Sequence, residues 1–190
     1  MNRIQEIINT LELKKHPEGG YYKETYRSKG FINSDSLDEN YIGNRNYSTC
    51  IYFLLTSDEF SAFHKIKQDE IWHFHEGSSI QLHTISEKGV HLEFKIGNNI
   101  TNGEQPQLIV PGNYWFAASI NNKNSYALVS CTVSPGFDFS DFILPTRSEL
   151  IEKFPQHKEI ITNYTKLLPM KKTFYLFMIL PSCSIYSQKL

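Results

Sequence analysis

The sequence predicts an all-β sandwich or barrel with short helices at its two ends, and three observations support this fold class. Short apolar and aromatic segments recur every 8–12 residues or so between turn residues, a spacing typical of sandwiches and barrels. Phe, Tyr and Trp make up 14% of the chain, and aromatic residues are enriched in strands. No long helical pattern separates the segments, which argues against a parallel sheet of alternating strands and helices.

Helical periodicity occurs only near the ends. An apolar stripe from Ile4 to Leu11 predicts a first helix, which ends before the Pro-Glu-Gly-Gly segment at 17–20. Thr146 and Glu149 have the spacing of a capping box and predict the start of a C-terminal helix, and residues 160–167 predict another.

The strands are predicted between turns rich in Gly, Pro and Asn. The polar stretch 28–45 predicts a long surface loop that could act as a lid. The segments that we interpret as strands are residues 21–27, 48–55, 59–66, 70–75, 79–85, 90–96, 107–110, 114–120, 126–133 and 137–144.

Composition excludes several classes of protein. The 19 basic and 20 acidic residues give a net charge of −1, too little for nucleic acid or an anionic membrane as a partner. Three Cys residues argue against a disulfide framework. The first 13 residues do not resemble a signal peptide, and the apolar run 174–180 is too short to span a bilayer. We therefore expect a cytoplasmic protein, with one domain at 1–168 and a peripheral tail at 169–190.

The densest group of reactive side chains lies between residues 60 and 77. Residues two apart on a strand share a face, so His73 and His75 could hold a metal together. Strand alternation places Glu70 and Trp72 on the opposite face. If Glu70 lines a pocket, both histidines point away from it, and we interpret them as exposed or interface residues.

This segment resembles the first signature of the cupin superfamily, in which histidines are followed by Glu, six residues and Gly. Glu70 and Gly77 have that spacing, and His64 lies near the place of the second metal-binding histidine. Ala62 stands at the place of the first histidine. The segment from Pro111 to Phe116 resembles the second signature, with Phe116 in place of its histidine. At most two of the four usual metal ligands are therefore present.

Four motifs make the resemblance specific within the superfamily. The chain is similar to a group of compact cupins related in fold to the dTDP-sugar epimerases of rhamnose synthesis. This resemblance implies an antiparallel double-stranded β-helix, the cupin jelly-roll barrel, with an internal pocket and a homodimeric assembly. The motifs are HPEGGYY at 16–22, DEIWHF at 69–74, VP at 110–111 with WFAA at 115–118, and CTVSPGFDF at 131–139.

A pocket of this kind would hold a small polar ligand, sugar-like or nucleotide-sugar-like, between aromatic walls. We expect His64 and Glu70 to be the catalytic pair, with His64 as the base, because proton abstraction beside a carbonyl needs a poised base and an acid. Arg27 is a candidate anion contact. The other predicted ligand-binding residues are Tyr22, Glu24, Trp72 and Tyr126.

Three function classes stay open at this point. The first is an isomerase or epimerase that works without a metal, and the second is a binding or storage barrel without turnover. The third is a metal enzyme whose ligand set is completed by His75, Gln81 or His83. We assign no metal ligand and expect no cofactor, because so few of the family's usual ligands are present.

Overall fold

The computed structural model describes residues 2–166, so the predicted tail at 169–190 lies outside the described residues. Within residues 2–166 there are three α-helices and twelve strands, joined by turns and short 3-10 helices. The helices are α1 (Arg3–Leu11), α2 (Arg147–Lys153) and α3 (Lys158–Asn163). The strands are β1 (Lys14–Lys15), β2 (Tyr21–Arg27), β3 (Phe31–Ile32), β4 (Arg45–Asn46), β5 (Thr49–Thr56), β6 (Ser61–His64), β7 (Asp69–Gly77), β8 (Ile80–Ile85), β9 (His91–Ile96), β10 (Gln107–Val110), β11 (Trp115–Ile120) and β12 (Tyr126–Ser134).

Two antiparallel sheets face each other and form the barrel. One has the order β1-β2-β5-β12-β7-β10, the other β6-β11-β8-β9, and β3 pairs with β4 separately. Alternate residues of the strands point inward, so that Phe53, Trp72, Leu82 and Phe116 form one core between the sheets. The prediction of an all-β, antiparallel jelly-roll barrel with short terminal helices is confirmed.

Helix α1 packs on the outer face of the six-stranded sheet. The Asn2 side chain caps its first turn by accepting a hydrogen bond from Gln5 N, and Glu12 ends it in a left-handed conformation. The predicted apolar stripe faces the sheet, where Ile7 packs against Leu54 and Leu13. No helix between residues 2 and 166 is long and apolar enough to cross a lipid bilayer.

Helices α2 and α3 cover the outer face of the four-stranded sheet. Leu150 and Ile161 pack there against Ile85 and Trp115 of the strands. The predicted capping box is present, because the Thr146 side chain accepts from Glu149 N while the Glu149 carboxylate accepts from Thr146 N. This second core is separate from the core between the two sheets.

The predicted strand at 137–144 is wrong. Asp138 instead caps a short 3-10 helix, Phe139–Asp141, by accepting a hydrogen bond from Ser140 N. Only one isolated bridge, between Ile143 and Lys65, extends the sheet pattern there. The aromatic residues of this segment favour a strand by their composition. In the structure, Phe137, Phe139 and Phe142 instead pack at one end of the barrel.

Candidate functional site in the barrel cavity

A cavity of about 450 Å³ opens between the two sheets at one end of the barrel. Its walls combine aromatic rings with acidic, basic and imidazole groups, the composition of a site that binds a small polar molecule. The lining residues with titratable or aromatic side chains include His16, Glu18, Tyr22, Glu24, Arg27, His64, Glu70, Trp72, Cys131 and Phe139.

Glu18 is the residue that sequence reasoning missed, and the turn before β2 carries it into the barrel. Ala62 N donates to the Glu18 carbonyl oxygen at 3.0 Å, and Ser61 Oγ donates to Glu18 Oε1 at 2.8 Å. The chain can approach β6 this closely because Gly19 has φ +126° and no side chain. A Cβ there would lie 2.1 Å from Phe60 O.

His64 is paired with Glu18, which corrects the expected pair of His64 and Glu70. His64 Nε2 lies 3.1 Å from Glu18 Oε2, and both side chains are at least nine-tenths buried. His16 Nδ1 lies 3.2 Å from the same oxygen. The expected pair relied on closeness in sequence, whereas Glu18 reaches His64 from a different segment.

A hydrogen bond between His64 Nε2 and Glu18 Oε2, which lie 3.1 Å apart, requires one proton between them. His64 Nδ1 lies 2.7 Å from the carbonyl oxygen of Ala62, so this nitrogen carries a hydrogen and donates it. Nε2 would then present a lone pair to the carboxylate unless a second proton lies between them. Burial alone would raise the pKa of Glu18, but His64 and His16 hold it below its usual value. Burial lowers the pKa of His64, an effect that the negative charge of Glu18 opposes.

Glu70 projects from β7 on the opposite sheet and is only 8% exposed. Its pKa is raised to about 7, first by burial and then by the negative charge of Glu18. The Cys131 thiol next to it is buried, which raises the pKa of that thiol far above its usual value. Glu70 can therefore exist in both protonation states near neutral pH, as a general acid or base requires.

Aromatic rings form much of the remaining wall, and the predicted Tyr22 and Trp72 are among them. Trp72 is buried, and its indole N–H, electrostatically coupled to Glu70, has no acceptor in hydrogen-bonding geometry within the described part of the chain. His16 packs edge-on to Tyr22, with ring centroids 4.6 Å apart, and stacks near Phe139. A ligand in the cavity would meet ring faces and one donor that lacks a partner.

Arg27 and Glu24 lie at the mouth, where they bind each other. Arg27 Nε and Nη2 donate to the two Glu24 oxygens at 2.9 and 2.7 Å. Arg27 Nη1 donates to Asn46 Oδ1 and to the Phe137 carbonyl oxygen. Arg27 thus makes four hydrogen bonds to protein acceptors while it lines the cavity, and its contact with a ligand anion stays a prediction. Lys14, which also lines the cavity, is a cation at this mouth.

Tyr126 does not line the cavity, and this prediction is corrected by strand alternation. Cys131 and Val133 point inward from β12, so Tyr126 points outward, where it packs near α1 and donates to Glu76. His73 and His75 also lie on the outer face, as expected, and contact Thr132 and Ser130 there.

The interior metal of many cupins does not fit the residues of this cavity. Ala62 and Phe116 occupy two ligand positions and offer no donor atom, and Phe116 is paired with His64 across β6 and β11. His64 Nε2, the atom that would bind a metal, faces Glu18. The completion by His83 is also corrected, because His83 lies on the outer face of its strand, opposite to the barrel core.

Comparison with known proteins decides the family. A sequence model described as "Cupin superfamily (DUF985)" matches residues 5–145. The chain belongs to the cupin superfamily. Within it, the chain is 37% identical over 147 residues to Uncharacterized protein YML079W of Saccharomyces cerevisiae, an alignment that covers 73% of each protein.

Solved structures share the fold of this chain. A hypothetical protein from Leishmania major is 35% identical, with a TM-score of 0.79 over 86% of this chain and 99% of that one. Protein SO0799 from Shewanella oneidensis is 36% identical, with a TM-score of 0.77 over 87% and 99%. A cupin 2 domain-containing protein from Halorhodospira halophila, 7% identical with a TM-score of 0.51 over 82% and 89%, shares the fold alone.

Proposed function

We propose that this cupin binds a small polar ligand, sugar-like or nucleotide-sugar-like, in the barrel cavity and exchanges protons with it as an isomerase or epimerase. The observation that carries the proposal is the placement of two proton-exchanging groups on facing sheets. Glu70 projects from β7 of one sheet, and the His64–Glu18 pair is anchored on β6 of the other.

This arrangement suits proton transfer next to a carbonyl group. Such a reaction needs a base that removes a carbon-bound proton and an acid that donates one to the oxygen or to the opposite face. In the proposal, ionised Glu70 takes the proton and becomes a neutral acid. A proton held between His64 and Glu18 moves to the carbonyl oxygen, which gives an enediol. Glu70 then returns its proton to the former carbonyl carbon, and the His64–Glu18 pair takes the proton of the neighbouring hydroxyl, so the isomer forms and both groups are restored.

The cavity walls support a sugar-like ligand. The rings of Tyr22, Trp72 and Phe139 offer flat apolar surfaces, while the carboxyl groups and the Trp72 N–H offer partners for hydroxyl groups. Lys14 at the mouth adds a positive charge for a phosphate group on a nucleotide sugar.

A binding role without turnover is the second candidate, and one observation favours it. Both ring nitrogens of His64 already contact protein oxygens, so a ligand would have to break the contact with Glu18 to use His64 directly. A pure binding protein would keep that contact unchanged.

The test begins with a thermal-shift screen of sugars, sugar phosphates and nucleotide sugars against the purified protein. Ligands that raise the melting temperature are then incubated with the protein in D₂O, and deuterium incorporation is measured by mass spectrometry. Isomerase-type chemistry predicts incorporation at a carbon beside the carbonyl or anomeric centre. Glu70→Gln should reduce the rate at least a hundredfold, because it cannot accept a proton.

The matched control is Glu152→Gln, which changes an exposed carboxyl on α2 and should leave both affinity and exchange unchanged. If ligands bind without deuterium incorporation, the protein is a binding module and the catalytic part of the proposal fails. If none of these compounds binds, or if Glu70→Gln exchanges at the wild-type rate, the proposed site is wrong.

A further inference from the structure

A second group of chemically active side chains lies on the outer face of the four-stranded sheet. His83 on β8 is paired directly with Glu93 on β9, and His91 lies two residues before Glu93 on the same strand. Residues two apart on a strand share a face, so all three side chains point away from the barrel core. The cluster sits beside α2 and α3, with the His83 ring 4.8 Å from the ring of Tyr164.

The ligand atoms of these three residues converge. His83 Nδ1 lies 3.2 Å from His91 Nε2 and 3.7 Å from Glu93 Oε1. All three atoms lie within 4.8 Å of one another, and within residues 2–166 this is the single group of His, Cys, Asp or Glu with that property. Zinc with tetrahedral bonds of about 2.0 Å separates its ligand atoms by about 3.3 Å. The two observed separations are close to that value.

The donor set also fits zinc in its chemistry. Two imidazole nitrogens and one carboxylate oxygen form a common zinc-binding combination, with a fourth position left for water or another ligand. Outer hydrogen bonds hold the ligands in place, as they do in most metal sites. Gln81 Nε2 donates to Glu93 Oε2 at 3.3 Å, which leaves Oε1 facing His83.

His157 is a candidate for the fourth position. Its Nε2 lies 2.7 Å from the Gly89 carbonyl oxygen, so Nε2 carries the hydrogen and Nδ1 keeps a lone pair. The His157 ring centroid lies 5.5 Å from that of His91.

We propose that His83, His91 and Glu93 form a zinc-binding site on the outer face of the barrel, beside the C-terminal helices. In the protein without metal, His83 and His91 share one hydrogen bond between their ring nitrogens. When zinc binds, the donor ring carries that hydrogen on its other nitrogen instead, so both facing nitrogens present lone pairs to the ion. Glu93 has a side chain that is 57% exposed, so the ion enters directly from solvent. The site lies on the far side of the sheet from the cavity and does not depend on the proposed function.

The experiment uses the full chain without an affinity tag, stripped with EDTA, desalted and titrated with ZnCl₂ by calorimetry. We expect one equivalent to bind with a dissociation constant below about 10 μM. His91→Gln should weaken binding at least tenfold, and Glu93→Gln should weaken it by a smaller factor. Bound zinc should also raise the melting temperature of the wild type, because a ligand that binds only the folded state stabilises it.

The cavity variant His64→Gln is the matched control and should bind zinc like the wild type. Because the Glu93 side chain is exposed, Glu93→Gln should fold normally. It therefore tests zinc binding even if His91→Gln does not fold. Three results would overturn the proposal. They are a wild-type dissociation constant above 100 μM, wild-type affinity in both His91→Gln and Glu93→Gln, and loss of binding in His64→Gln, which would place the metal inside the barrel.

Discussion

Glu70 is a buried carboxyl whose neutral form is favoured by its surroundings, so folding stability should depend on pH near neutrality. Its pKa of about 7 in the folded protein exceeds the value of about 4.3 in an unfolded chain. The folded state therefore keeps a proton that the unfolded chain releases. This stabilising contribution is complete below about pH 4 and is lost as the pH rises through 7. The total loss is about 4 kcal/mol, at about 1.4 kcal/mol per pKa unit.

Glu70→Gln should remove this pH dependence, because an amide does not ionise in this range. The measurement is urea unfolding of both proteins between pH 5 and pH 8. The stability of the variant relative to the wild type should increase by up to about 3 kcal/mol across that range. Comparing the two proteins at each pH removes the pH-dependent contributions that both share. One example is His83, whose pKa is lowered by burial. A constant difference at every pH would mean that Glu70 titrates normally.

Gly19 is predicted to be indispensable for the His64–Glu18 pair. A Cβ at this position would lie 2.1 Å from Phe60 O, in a backbone conformation that other residues rarely adopt. Gly19→Ala should therefore cost about 3 kcal/mol or more of unfolding free energy. It should also move Glu18 away from His64.

The control is Gly103→Ala, because Gly103 has φ +77° but nothing within 4 Å of its would-be Cβ. This variant has the conformational strain without the clash and should cost about 1–2 kcal/mol. Chemical denaturation measures both losses. If both variants lose the same unfolding free energy, the close approach of Gly19 to Phe60 is not the reason that a glycine is needed at position 19.

The sequence predicts which face of a strand a residue occupies better than it predicts contacts between segments. Alternation placed Glu70 and Trp72 inside and His73 outside without any structure. Tyr126 was assigned to the wrong face because the starting phase of β12 was not known. Glu18 lies in a turn, where no alternation exists, and the signal that pointed to it was the HPEGGYY motif, to which we had assigned no chemistry.

At the scale of elements, one buried ion pair connects the loop at 28–45 to the segment at the mouth of the cavity. Arg45 Nε and Nη2 donate to the two oxygens of Asp141, both at 2.7 Å, and both side chains are almost fully buried. Gln68 Nε2 also donates to Asp141. The pair positions Phe139 and Phe142, which line the cavity.

Arg45→Met should cost about 3–5 kcal/mol, because it leaves a buried carboxylate without its main partner. The matched control is Arg3→Met, which removes an exposed pair with Glu76 and should cost less than about 1 kcal/mol. Urea unfolding gives both values. Limited proteolysis should show faster cleavage within residues 33–44 in Arg45→Met than in the control. Similar losses in the two variants would contradict the connecting role of Arg45.

Element prediction from the sequence succeeded where turn residues separate alternating segments, as for β2 and β10, whose bounds match the prediction. It failed at 137–144, where Asp138 makes a local hydrogen bond that competes with strand pairing. The sequence does not predict strands β3 and β4, because two residues are too few to show the alternation that marks a strand.

At the scale of the whole molecule, we propose that two chains associate through the outer face of the six-stranded sheet. Helix α1 covers the part of this face near Leu54. Toward the other edge, Ile109 on β10 is paired with Ile71 on β7, and Ile109 remains 56% exposed in the described chain. The exposed Ile109 and the half-buried Ile71 give this face an apolar patch that a second chain would cover.

Ile109→Glu should convert a dimer into a monomer, because it places a charge at the centre of the proposed interface, where a charge without a partner costs several kcal/mol. Ile100→Glu is the matched control, since Ile100 is 69% exposed and belongs to the 3-10 helix Ile100–Asn102, outside the strands of that sheet. Sedimentation equilibrium at micromolar concentrations should give twice the chain mass for the wild type and the control, and the chain mass for Ile109→Glu. A monomeric wild type would rule out the dimer, and a dimeric Ile109→Glu would place its interface elsewhere.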